Sequence, residues 1–172
     1  MSRRWRAALP LMVAAFVCLG VTSVLANSGM SIIIGSTATL VEPDKTTLNV
    51  PITVTCYNQT TNYGPSTAAS GTVTVTVTQN YKETSVAGTG SAPITCTGQP
   101  QSYAVSVAAG SGTFHPGLAT ASASGSAQGT VTNQVCSSNG TITTCTTFQQ
   151  NYVDTATAGP QPITIASPDG HS

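Results

Sequence analysis

Charge and aromatic side chains are both scarce in this chain. Charged residues make up 6% of its 172 positions and aromatics 5%, with one tryptophan, Trp5. Three of the five basic residues, Arg3, Arg4 and Arg6, are confined to the first six positions. Beyond residue 26 only Lys45 and Lys82 remain, against Glu42, Asp44, Glu83, Asp154 and Asp169, two against five for a net of −3. That balance excludes nucleic acid and an anionic membrane surface as partners, because both demand clustered Lys and Arg. The motifs of common catalytic sites are also missing. There is no G-x-S-x-G, and no C-x-x-C or neighbouring histidine supports a zinc site. Glu42 and Asp44 flank Pro43 in a turn without the rest of a calcium loop. The expectation is a non-enzymatic chain with no metal and no cofactor.

The N-terminal segment holds the one long apolar run. MSRRWR is followed by AALPLMVAAFVCLGVTSVLA, which ends with Val24 and Ala26 at the −3 and −1 places of a peptidase site. A basic head, an apolar middle and small exit residues describe a secretory signal peptide cut between Ala26 and Asn27. The run is long enough to span a bilayer, but no charge follows it to stop transfer. The sequence thus predicts export and no membrane insertion after cleavage. The twin arginines of SRRWR lack the apolar residue expected soon after a Tat pair, so the Sec route is preferred. Cys18, preceded by Ala15, Phe16 and Val17, is a residue of the apolar middle rather than a lipid-attachment site.

After the leader the grammar is that of strands. In TVTVTVT (72–78) Val73, Val75 and Val77 alternate with threonines, which puts a buried face and a wet face on one strand. Val50, Ile52, Val54 and Cys56 repeat the pattern, as do Tyr103, Val105 and Val107, and no window shows comparable helical periodicity. Turn signals separate the runs: EPDK (42–45), NQTTNYGPS (58–66), NYKE (80–83), TGQPQ (97–101) and HPG (115–117). These spacings predict strands near 37–41, 48–57, 71–79, 84–91, 93–97, 102–109, 118–127, 130–136 and 142–149. Together they predict an all-β antiparallel sandwich over 27–154.

Strand 71–79 is uncharged and β-rich, so it is expected in the interior of a sheet, flanked on both sides. The small-residue run LATASASGSA (118–127) is expected at the periphery, because Ala and Ser bury little area. Residues 155–172, rich in Pro and Gly, are expected as a loose tail in which 163–166 adds an edge strand at most.

Four cysteines follow the leader: Cys56, Cys96, Cys136 and Cys145. An even count in an exported chain predicts disulfides. Of three connectivities, 56–96 and 136–145 is preferred, since Cys56 shares the inward parity of Val54 and Cys96 that of Ile94. The second pair conflicts with its own turn. Asn139-Gly140 favours a two-residue hairpin, which would place Cys136 opposite Thr143 and leave Cys145 diagonal to it. A bridge there requires a longer loop, such as 139–142, or a bulge.

The succession TVTC (53–56), TVTVTVTQ (72–79), GTGSAPITCTG (88–98), YAVSVA (103–108) and GTFHPGLATASA (112–123) resembles secreted immunoglobulin-like domains of high-GC Gram-positive bacteria. The resemblance covers 37–127, implies a sandwich with Cys56 and Cys96 paired, and carries over no catalytic residue. The segment bearing Cys136 and Cys145 lies outside it, as an added disulfide hairpin. The expected function is an extracellular interaction or structural module with a protein or cell-wall partner. Its candidate contacts are loop aromatics, Tyr63, Tyr81 and Phe114, together with His115. The composition and two disulfides are also similar to the apoproteins of enediyne antitumour antibiotics, which implies the alternative of an extracellular carrier for a small apolar ligand.

Overall fold

In a computed structural model the described residues are 29–57, 63 and 67–168. The cleavage pair Ala26 and Asn27, most of the 58–66 loop and His171 lie outside them. Eight strands follow in chain order: β1 Ser31–Ile34, β2 Thr37–Val41, β3 Thr47–Thr55, β4 Thr67–Tyr81, β5 Thr84–Thr95, β6 Gln101–Ala109, β7 Gly117–Ser138 and β8 Thr143–Ala166. No helix occurs among the described residues.

All eight belong to one mixed sheet. β3 pairs with β1 and β2 along one edge and with β6 along the other. β6 joins β5, β5 joins β4, β4 joins β7 and β7 joins β8. The parallel pairing of β8 with β2 then closes the circuit. The weakest join is β5 to β6, made through Gly88↔Ala109 and Thr89↔Ala108. It depends on small residues: a Cβ at Gly88 would stand 2.6 Å from the Ala108 carbonyl oxygen and 2.8 Å from Phe114 Cζ. Glycine inside a strand here marks a close approach of two backbones.

The alternation read from the sequence sets the core. Leu48, Val50, Ile52, Val54, Val73, Val75, Val77, Val105 and Val107 are all buried. β4 lies between β5 and β7, as its uncharged, sticky sequence requires. β1 had no counterpart in the sequence reading, yet its Ile32 and Ile34 are buried in the core.

Three expectations are corrected. The small-residue run 118–127 is not peripheral, because β7 lies between β4 and β8 and buries Ala119, Ala121, Ala123 and Ala127. Its lack of volume is matched by long side chains from β1 and the residue before it. A Cβ at Gly125 would stand 2.6 Å from Met30 Cε and 3.2 Å from Ile32 Cδ1. The segment 155–166 is no tail but the C-terminal half of β8, with Ile163 and Ile165 buried. Segments 84–91 and 93–97 form one strand, as do 118–127 and 130–136.

Both disulfides are present. Cys56–Cys96 closes a separation of 40 residues with Cα atoms 4.9 Å apart, and both cysteines are buried. Cys136 stands directly opposite Cys145, with Cα atoms 4.0 Å apart. The hairpin loop is the longer one, 139–142, flanked by the pair Ser138↔Thr143. Asn139 builds it with its side chain rather than with a two-residue turn: Oδ1 accepts from the backbone N–H of Thr141 and Ile142 at 3.2 and 2.9 Å.

Candidate functional site

The two ends of the core carry different groups. At one end, strand β4 finishes with Gln79, Asn80 and Tyr81, and inward parity continues from Val77 to Gln79. The Gln79 amide is buried and pairs with the backbone of His115 in both directions. Its Oε1 accepts from the His115 N–H at 2.9 Å, and its Nε2 donates to the His115 carbonyl at 2.7 Å. This fixes the 114–117 segment across the end of the sheet and sets His115 against Tyr81. Their rings stack at 4.1 Å with a 20° interplanar angle. Lys82 Nζ lies 5.4 Å from the Tyr81 ring centroid, and the residue adopts left-handed backbone geometry at the hairpin tip, with φ 55°.

 

Of the four candidate contact residues, the structure brings Tyr81 and His115 together and separates the others. Phe114 is corrected outright: it is fully buried. Its N–H donates to the Lys45 carbonyl at 2.8 Å and its ring reaches Gly88, so it plugs the open end of the core. A lone apolar ring in a short loop beside an open sheet end is drawn inward by the area it removes from water. Tyr63 is exposed and precedes β4 at its opposite end. At roughly 3.3 Å per residue, β4 keeps that end more than about 40 Å from Tyr81.

The other end is built by β7 and β8, which leave the core together. Up to Val131 and Thr132 the ribbon buries side chains, whereas every residue from Val135 to Asn151 is exposed. This arm projects roughly 20 Å at the usual strand rise. It carries no Asp, Glu, Lys or Arg, and the uncharged stretch runs from Thr84 to Val153. On one face Val135 and Phe148 are diagonal neighbours, through the pairs Val135↔Thr146 and Asn133↔Phe148. Asn133 Nδ2 donates to Gln150 Oε1 at 2.9 Å across the same face. The Cys136–Cys145 bridge occupies the opposite face, and Ile142 is exposed at the tip.

At the base of the arm lies a groove of about 400 Å³ lined by Ser70, Gln128, Gly129, Thr130, Asn151, Tyr152 and Val153. Beside it, on the inward face of β8, Asp154 is 3% exposed, and neither carboxylate oxygen has a hydrogen-bond partner among the described residues. Sequence reasoning missed both features. The available signal was the isolation of Asp154 as the first charge after Glu83.

Among the described residues no cluster of three or more His, Cys, Asp or Glu is placed to hold a metal ion, and no helix is long and apolar enough to cross a membrane. No family model, curated protein or solved structure matches the chain.

Proposed function

We propose that this chain is a secreted, non-enzymatic interaction module of the bacterial cell exterior, and that the β7–β8 arm is its contact element. The observation that carries the proposal is the arm itself: a charge-free, disulfide-linked ribbon outside the core with Val135, Phe148 and Ile142 exposed. Among the described residues no strand pairs with either outer edge of the arm from Asn133 outward, which is the geometry that accepts a further strand from another protein. A two-stranded ribbon is marginal alone, and the Cys136–Cys145 bridge supports it. The leader and the disulfides together favour an oxidising exterior.

The scaffold presenting the arm is, in this proposal, an immunoglobulin-like sandwich. β1 with β3 and β3 with β6 correspond to one of its sheets, and β5, β4, β7 and β8 to the other, with the short β5–β6 join at the seam. The disulfide departs from the antibody arrangement, since Cys96 follows β5 rather than lying in β7.

The test is retention on the cell-wall fraction of the producing organism, comparing the secreted protein with Val135→Lys/Phe148→Lys. Wild type is expected to hold a protein partner that the double variant loses. Equal retention, or none by either protein, contradicts the assignment. The groove at the base of the arm favours a second reading, an extracellular carrier of a small ligand. Native mass spectrometry of the secreted protein separates the two, because a carrier retains a small molecule of constant mass.

A further inference from the structure

We propose that the tip of the arm carries a self-modification site, at which the Gly140 backbone nitrogen displaces the side-chain amide of Asn139 and the neutral tip acquires a carboxylate. The chemistry stands independently of the contact assigned to the arm, and only its effect on retention rests on that reading.

The loop 139–142 brings the reacting groups together. The nucleophile is the Gly140 nitrogen. Asn139 is the one asparagine of the chain that precedes glycine, so no side chain on the next residue shields that nitrogen. Gly140 has φ 89°, and a Cβ placed on it would meet nothing within 4 Å. Its N–H lies outside the strand ladder and donates to Ser138 Oγ at 3.4 Å. The electrophile is Cγ of Asn139, whose Oδ1 accepts from the backbone N–H of Thr141 and Ile142 at 3.2 and 2.9 Å. Two backbone donors on one carbonyl oxygen polarise the carbon, and they stabilise the negative charge that the oxygen gains when a nitrogen adds to it. A further bond, from the Asn139 N–H to the Ile142 carbonyl at 3.2 Å, holds the loop in this form. The co-reactant is water, and residues 137–145 are all exposed to it.

The steps balance. A bond from Gly140 N to Asn139 Cγ forms as the bond from Cγ to Nδ2 breaks. Nδ2 leaves as ammonia, taking up the proton that the Gly140 nitrogen gives up, and a cyclic imide remains. Water then opens the ring. Attack at Cγ leaves an aspartate at this position, and attack at the main-chain carbonyl carbon leaves an isoaspartate linked through its side chain. Either product puts a carboxylate into a stretch, Thr84 to Val153, that otherwise holds no charge, in the same loop as exposed Ile142. The aspartate keeps the bonds from Thr141 and Ile142, now charge-assisted. The isoaspartate lengthens the main chain and reshapes the loop. In both, the Ser138↔Thr143 pair and the Cys136–Cys145 bridge close the arm behind the loop, so the ribbon below it stays paired.

The experiment holds the secreted, oxidised protein at neutral pH and follows it by isoelectric focusing, ammonia release and fragment mass spectrometry. Loss of the Asn139 amide is expected to be first-order and at least as fast as in a linear peptide of residues 137–143. It is expected to be about tenfold faster than at Asn80, Asn133 or Asn151. Asn139→Gln, whose longer side chain does not close the same ring, is expected to lose the new acidic species. Slower conversion than in the peptide overturns the proposal with no variant needed. So does acid formed first at another asparagine, an acidic species that persists in Asn139→Gln, or a glycan on Asn139, whose N-G-T context also fits a glycosylation sequon. Fresh and converted forms are then separated by ion exchange and applied to the cell-wall fraction. Retention is expected to fall about tenfold on conversion, because the contact then has to bury an unpaired carboxylate. Equal retention of both forms overturns this effect of the site, whereas a fresh protein that is not retained at all contradicts the contact reading and leaves the conversion standing.

Discussion

β7 and β8 run side by side for some twenty residues each, yet the two halves of this ribbon obey different rules. In the half near Ala119–Ala127, small side chains are buried because Met30, Ile32 and the valines of β4 supply the volume they lack. In the arm, larger side chains such as Val135, Ile142 and Phe148 are left in water because nothing among the described residues packs over them. Side-chain size therefore does not decide burial here; position relative to the other strands does. The inner half is held by packing. The arm is held by backbone pairing and a sulfur bridge.

This contrast can be broken from either side. The largest effect is expected from removing the core disulfide. Cys56→Ala/Cys96→Ala opens a 40-residue separation and should cost about 4 kcal/mol in urea unfolding, in the chain-entropy model. A smaller global effect is expected at the far end of β4. Gln79→Ala leaves the His115 N–H and carbonyl without their side-chain partner and should cost about 1–3 kcal/mol, with loss of the Tyr81–His115 stack visible in the ring chemical shifts. The smallest global effect belongs to the arm. Cys136→Ser/Cys145→Ser should change the unfolding free energy of the core by less than about 1 kcal/mol while speeding amide exchange in 133–149, since the bridge joins residues outside the core. A core loss comparable to that of the first variant would mean that the arm is not separate from the folding unit.

The sequence discloses the core strands because β-branched residues alternate there without interruption, in 48–54, 72–78 and 103–107. Parity also led from Val54 and Ile94 to the pairing of Cys56 with Cys96, and the conflict at Asn139-Gly140 was resolved by the four-residue loop 139–142. The full length of β8 was hidden by Gly159, Pro160 and Pro162, which read as strand breakers. A bulge between the pairs Ala121↔Gln161 and Ala123↔Ala158 accommodates Gly159 and Pro160, and Pro162 pairs with Thr120 within the ribbon. The candidate site was less legible. Tyr81 and His115 meet only because Gln79, an inward-facing amide in a valine row, ties down a loop 36 residues away. Whether a loop aromatic faces water or fills the end of a core depends on that distant closure, and for this reason Phe114, expected as a loop contact, is instead buried. Asp154 carried no local pattern at all, and only the structure reveals its burial with no hydrogen-bond partner among the described residues.

The most direct test of the account is residue-resolved hydrogen exchange along 117–166 in the native, oxidised protein. Amides of the inner pairs, from Leu118↔Thr164 to Ala127↔Asp154, are expected to exchange only with global unfolding, and those of the arm from Asn133↔Phe148 outward by local opening at far lower free energy. Uniform protection from base to tip would contradict the division of this ribbon into a packed half and a free arm.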